Sequence, residues 1–141
     1  MTRKYKVFDL ETTTKKAFGR KANFLVNRIV AMAVIDSTSN LTTYYSYKLF
    51  DFVDWAEALA ENVDVLVGHN IGFDLLYLYS QTPLRTRVKE RNIQIWDTQL
   101  AAYLLSGQQD KWGALRDLAI RDARCPERTK YMEEYWEQGI D

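Results

Sequence analysis

Val7-Phe8-Asp9-Leu10-Glu11-Thr12 places two carboxylates one residue apart where an apolar strand ends. A strand turns alternate side chains to the same face, so Asp9 and Glu11 point one way and Leu10 the other. Side by side, two carboxylates repel and desolvate each other unless a cation lies between them. Hard divalent ions such as Mg²⁺ and Mn²⁺ take oxygen clusters of this kind. A bare Asp-x-Glu also has a plainer reading, in which one carboxylate caps the next turn and the other is solvated. The rest of the chain decides between the two.

Around that pair, residues 4–9 read as a first strand and residues 12–22 as a polar loop rich in Thr and Lys. Residues 27–36 form a long β-branched run closed by a turn cluster at 37–40, and residues 42–49 resume as a third strand. Three strands joined by short turns imply an antiparallel meander with the first strand near its centre. The period then changes. Val53, Ala56, Leu59, Ala60 and Val63 recur at helical spacing, with an Asp at 51 or 54 able to cap the start. A short buried strand at residues 65–68, a helix over 72–80, a fifth strand at 93–97 and a helix over 98–105 follow. Residues 107–110 break the chain, and residues 112–121 are helical again. The expectation is an α/β fold with a mixed sheet of about five strands, a meander then parallel strands, and helices packed against it.

The 141 residues suit one domain with a real core, and 47% hydrophobic with 13% aromatic content is a folding composition. No apolar run reaches the roughly 18 residues of a membrane span, and the N-terminus has no signal-peptide core. Cys125 is the only cysteine and His69 the only histidine, which excludes a disulfide framework and a structural zinc site. The chain reads as cytoplasmic. Its charge is uneven: residues 1–50 carry 9 Lys/Arg and 3 Asp/Glu, a balance of +6, while residues 51–141 carry 10 and 16, a balance of −6. Lys15, Lys16, Arg20 and Lys21 follow directly on Glu11. They suit a phosphate backbone beside the carboxylates, or an ordinary solvated loop.

Gly68-His69-Asn70-Ile71-Gly72-Phe73-Asp74 follows the fourth strand and opens a helix. Glycines at both ends allow a tight turn and close packing. Asp74 falls near the helix start, where free N–H groups and the dipole favour an anion. The plainer reading is a helix cap with an Asn turn; the functional one is a third carboxylate carried to the end of the first strand.

With these two segments the chain resembles the DEDD 3′–5′ exonucleases, an RNase H-like group, and most of all the proofreading domains of family A DNA polymerases. Asp9-Leu10-Glu11-Thr12 matches the first motif, Asp-x-Glu-Thr, and Asn70-Ile71-Gly72-Phe73-Asp74 matches the second, Asn-x-x-Phe/Tyr-Asp. Trp96-Asp97-Thr98, followed by an apolar helix, and Leu115-Arg116-Asp117-Leu118-Ala119 are similar to the pieces that come next. The resemblance covers nearly the whole chain. It implies two Mg²⁺ or Mn²⁺ ions and hydrolysis of the terminal 3′ phosphodiester. Asp9 would bind both ions, Glu11 the nucleophile-side ion and the terminal 3′-hydroxyl, and Asp74 the second ion through water. Leu10, Thr12, Asn70 and Phe73 would contact substrate, although a core role is the favoured reading of Phe73, which faces the start of a helix. The implied partner is a single-stranded DNA 3′ end, with a polymerase domain in the same or another chain.

The family's third motif, a Tyr or His followed by the fourth metal-site Asp, has no match. Tyr131 is followed four residues on by Tyr135, and Tyr135 by Gly139. The reading is a domain whose C-terminal part is missing; Glu133, Glu134, Glu137 or Asp141 are candidate substitutes that nothing in the sequence separates. Alternatives of other classes are a catalytically incomplete module that binds nucleic acid or supports a polymerase, and another RNase H-like enzyme. Trp55, Trp96, Trp112 and the Tyr44-Tyr45-Ser46-Tyr47 run tempt toward a base-stacking platform, but such spacing favours core. Arg85, Arg87, Lys89 and Arg91 read as a solvated loop.

Overall fold

The structure is a computed structural model that describes residues 2–13, 25, 27–48, 50–108 and 118. β1 (Tyr5–Thr12), β2 (Ile29–Asp36) and β3 (Thr42–Ser46) form the meander, each pair antiparallel. β4 (Val65–Gly68) pairs parallel with the other edge of β1, and β5 (Gln94–Asp97) pairs parallel with β4. The sheet order is β3-β2-β1-β4-β5, with β1 at the centre. α1 (Phe52–Ala60), α2 (Ile71–Gln81), α3 (Leu84–Glu90) and α4 (Thr98–Leu105) complete the described elements. The expected α/β, RNase H-like fold is the fold observed.

Strand alternation explains which face became the core. Phe8 and Leu10 of β1 stand opposite Val34 and Met32 of β2, and all four are buried with Leu66 of β4. Trp55 and Leu59 of α1, Ile71, Leu75 and Leu78 of α2, and Leu84 of α3 close over them. α1 starts at a reciprocal cap: Asp54 N–H donates to Asp51 Oδ1 at 2.9 Å, and Asp51 N–H to Asp54 Oδ2 at 3.4 Å. Lys6 sits in the same row as Phe8 and Leu10 and is buried too. Its Nζ donates to Ala58 O and Glu61 O, both at 2.7 Å, so a cation satisfies the last carbonyls of α1 and ties that helix to β1. Burial lowers the Lys6 pKa, against the raising influence of Asp36 and Glu61.

Three expectations need correction. The basic segment before β5 is a helix, α3. Leu84 and Val88, four apart, both face the core. Arg87 pairs with Glu57 of α1 at 2.7 Å, and Arg91 pairs with the same carboxylate at 3.2 Å while capping Ala60 O at 3.0 Å. Two of the four cations are therefore structural ties, whereas Arg85 and Lys89 are exposed. Among the aromatics, Trp55 is core, but Trp96 is 55% exposed, Tyr44 75% exposed and Tyr47 exposed. Register explains the first two: Trp96 pairs with Val67 and Tyr44 with Ala33, on the face of the sheet away from α1 and α2. The third correction concerns Gly72, taken up below. The basic run Lys15, Lys16, Arg20 and Lys21, residues 131–141, Trp112, Cys125 and all of the 112–121 helix except Leu118 lie outside the described residues. Among the described residues no helix is long and apolar enough to cross a membrane.

The two glycines flanking the β4–α2 turn differ. A Cβ on Gly68 would stand 3.0 Å from Ile71 Cγ1 and 3.2 Å from its Cβ, whereas one on Gly72 would meet nothing within 4 Å. Close packing thus requires glycine at 68 alone. Gly68→Ala is expected to destabilise by about 1–3 kcal/mol through overpacking. Gly72→Ala is expected to stabilise by about 0.5–1 kcal/mol through helix propensity. Denaturant midpoints of the two variants check this; a larger loss at 72 than at 68 would contradict it.

Candidate active site

β1 delivers its carboxylates beside small neighbours. Asp9 pairs with Ala33 and Glu11 with Ala31, so the adjacent strand presents only methyl groups opposite the two carboxylates. The register shifts between Glu11 and Thr12, which ends regular pairing just past the carboxylates. Beyond it, Thr13 N–H donates to Arg28 O at 2.8 Å and Arg28 N–H to Thr13 Oγ1 at 2.9 Å, fixing where the chain leaves the strand.

The β4–α2 turn brings the third carboxylate. Asn70 takes the left-handed conformation (φ 53°) and ends the turn without a side-chain cap, while its carbonyl accepts Phe73 N–H at 3.0 Å. Asp74 then lies in the first turn of α2 with 5% of its surface exposed. Two further residues touch this turn. Asp97 Oδ1 accepts both Asn70 N–H and Gln99 N–H, each at 2.9 Å. Thr98 Oγ1 donates to Gly68 O at 3.3 Å and lies 2.9 Å from His69 Nδ1.

Burial and mutual repulsion dominate the electrostatics. Desolvation, followed by Asp9, Glu11 and Asp97, pushes Asp74 from its ordinary 3.8 up to about 8. Desolvation and then Asp9 raise Glu11. Asp9 is exposed as a residue, yet desolvation of its carboxyl raises it as well, against a backbone hydrogen bond at Leu10 and the influence of His69. Burial outweighs what the α2 N-terminus offers an anion. A helix terminus supplies at most about 2 kcal/mol, while the upward shift of Asp74 corresponds to several kcal/mol at about 1.4 per pH unit.

Asp9, Glu11 and Asp74 are thus within electrostatic reach of one another. Of the other expected site residues, Thr12 is half-buried at the strand end and Asn70 is exposed at the turn. Leu10 is committed to the core, on the face opposite the carboxylates. Phe73 packs against the core, its ring 5.2 Å from that of Tyr77. His69 and Asp97 were not among the expected site residues; the Asp97-Thr98 pair in the sequence was the available signal. The donor set fits a hard divalent ion in chemistry: all oxygens, mutually destabilised by charge that a cation would neutralise. Among the described residues, however, no three acidic, His or Cys side chains stand close enough to form a finished cage. A groove of about 660 Å³ between Arg3, Lys4, Asn62, Arg91 and Gln94 contains none of these carboxylates.

The raised Asp74 pKa has a definite sign for stability. Folding favours the protonated carboxyl, so its contribution is intact below pH about 4 and is lost as pH rises toward 8. In metal-free buffer the melting temperature should fall across that window by on the order of 10–20 °C. Asp74→Asn should remove most of the fall and melt higher than wild type at pH 8. Equal pH profiles for the two proteins would contradict the assignment.

No family model matches the chain, and no curated protein matches it. Among solved structures it is similar to the apo form of a nuclease, with a TM-score of 0.65 and 13% identity over 96% of this chain and 59% of that one. It is also similar to part of the family B DNA polymerase from the hyperthermophilic archaeon Pyrobaculum calidifontis, with a TM-score of 0.45 and 26% identity over 60% of this chain and 12% of that one. The chain therefore spans 59% of the nuclease and about an eighth of the polymerase. The overlap with the polymerase is too partial to carry an argument. At 13% identity the likeness to the nuclease establishes a common fold.

Proposed function

We propose that this protein is a metal-dependent 3′–5′ exonuclease that removes mononucleotides from single-stranded DNA ends. The observation that carries the reading is the buried Asp74 coupled to Asp9 and Glu11 at the end of the central strand. Charge gathered there against its own repulsion is what a site for hard cations requires, and both acidic motifs of the resembled family fall on these residues. Asp9 would bind two Mg²⁺ or Mn²⁺ ions, Glu11 the nucleophile-side ion and the terminal 3′-hydroxyl, and Asp74 the second ion through water. Bound ions of this kind neutralise the phosphate and acidify a water.

The reaction adds water across the last phosphodiester: an oxygen–phosphorus bond forms, the bond to the 3′ oxygen breaks, and that oxygen gains a proton. The protein's own part is to hold the acidic groups at fixed points. Thr12 and Asn70 would meet the terminal nucleotide, and Leu10 would have only its backbone to offer. The substrate end must be unpaired to reach carboxylates at a strand terminus, with backbone contacts rather than base readout. Proofreading beside a polymerase domain, in this or another chain, is the setting the resemblance suggests.

A second reading, a module that holds a 3′ end without cutting it, draws on one observation: the described side chains do not close around an ion by themselves. A 3′-labelled single-stranded oligonucleotide separates the two. The proposal expects mononucleotide release with Mn²⁺ or Mg²⁺, abolished by EDTA and reduced at least about 100-fold by Asp9→Ala. Binding of the oligonucleotide without release, by folded protein, would favour the second reading.

A further inference from the structure

We infer that Asp97 and Thr98 are positioning residues that hold the β4–α2 turn, and through it Asp74, against the carboxylates of β1. The inference rests on the reading of Asp9, Glu11 and Asp74 as the site.

Parallel pairing sets Gly68 of β4 opposite Asp97 of β5, so β5 ends where the turn into α2 begins. From that position the pair grips three consecutive residues. Thr98 Oγ1 meets Gly68 O at 3.3 Å and His69 Nδ1 at 2.9 Å, and Asp97 Oδ1 meets Asn70 N–H at 2.9 Å. The same oxygen caps α4 through Gln99 N–H at 2.9 Å. One carboxylate oxygen therefore joins the first residues of two helices.

A plain capping role requires only the bond to Gln99; the bond to Asn70 crosses to another element. The turn needs outside support. Asn70 is left-handed and caps nothing with its side chain, a conformation that non-glycine residues adopt at some cost in energy. A charge-assisted acceptor from β5 offsets that strain. Asp74 lies four residues beyond Asn70, about one helical turn, so a shift of the turn carries its carboxyl with it. Neither Asp97 nor Thr98 needs to touch substrate for this role.

The test uses Asp97→Ala, Asp97→Asn and Thr98→Val in the full chain, with two readouts. The first is amide hydrogen exchange over residues 68–74 in metal-free protein. The second is the Mn²⁺ concentration that gives half-maximal mononucleotide release. An Asn carbonyl can accept the same two N–H groups, so Asp97→Asn is the rescue variant. Asp97→Ala is expected to speed exchange over 69–74 at least about 10-fold relative to the sheet, and to raise the Mn²⁺ requirement about 10–100-fold. Asp97→Asn should stay within about 3-fold of wild type in both, and Thr98→Val should speed exchange at 68–70 by several-fold. Unchanged exchange in Asp97→Ala, or Asp97→Asn as impaired as Asp97→Ala, would overturn the inference. If Asp97→Ala does not fold, the Thr98→Val exchange decides alone. If wild type releases no mononucleotide, the exonuclease reading fails while the exchange data still decide whether the pair holds the turn.

Discussion

Drawing Asp9, Glu11 and Asp74 out of water and toward one another is the constraint around which the molecule is arranged. Three acids at the end of one sheet, one of them almost fully buried, oppose folding by several kcal/mol when all are ionised. The opposing force is the core on the other face of β1. Burying Phe8, Leu10, Met32, Val34 and Leu66 at about 1.5–3 kcal/mol each outweighs that opposition. The alternation of a single strand therefore does two jobs: even positions build the core that holds the sheet, and odd positions present the charge.

The elements around β1 restrict how this charge can escape. Lys6 ties β1 to the end of α1, and Arg87 and Arg91 tie α1 to α3 through Glu57. α2 follows β4 with no more than a two-residue turn, so Asp74 has little freedom to retreat. Asp97 adds a fourth acidic group near Asp74, but it is engaged by Asn70 and Gln99 N–H groups and acts on the turn rather than on the open end of the sheet. On the proposed reading, the repulsion left over is the binding energy a divalent cation would collect.

Much of the fold was legible because its signals are local. The apolar run closing on Asp9 and Glu11, the buried strand at residues 65–68 and the helix at Thr98–Leu105 all occur where their periodicity placed them. What was not legible depended on partners far along the chain. The burial of Lys6 depends on α1, which offers it two carbonyls. α3 is short and follows a proline, so its two apolar positions, Leu84 and Val88, gave a weak signal beside four cations. Trp96 and Tyr44 read as core by spacing, yet strand register turns both away from α1 and α2. In the site, the motifs named the three carboxylates, but the upward shift of Asp74 required knowing its burial, which no spacing reveals. Asp97 was visible only as half of an Asp-Thr pair; its grip on Asn70 is a tertiary contact.

The central claim is that Asp9, Glu11 and Asp74 make one cation site. Anomalous diffraction from crystals equilibrated with Mn²⁺ tests it most directly. The account predicts an anomalous peak at the end of β1, within ligand distance of Asp9 and Glu11 and beside Asp74. Mn²⁺ bound elsewhere on the protein, with no peak at that end of the sheet, would contradict it.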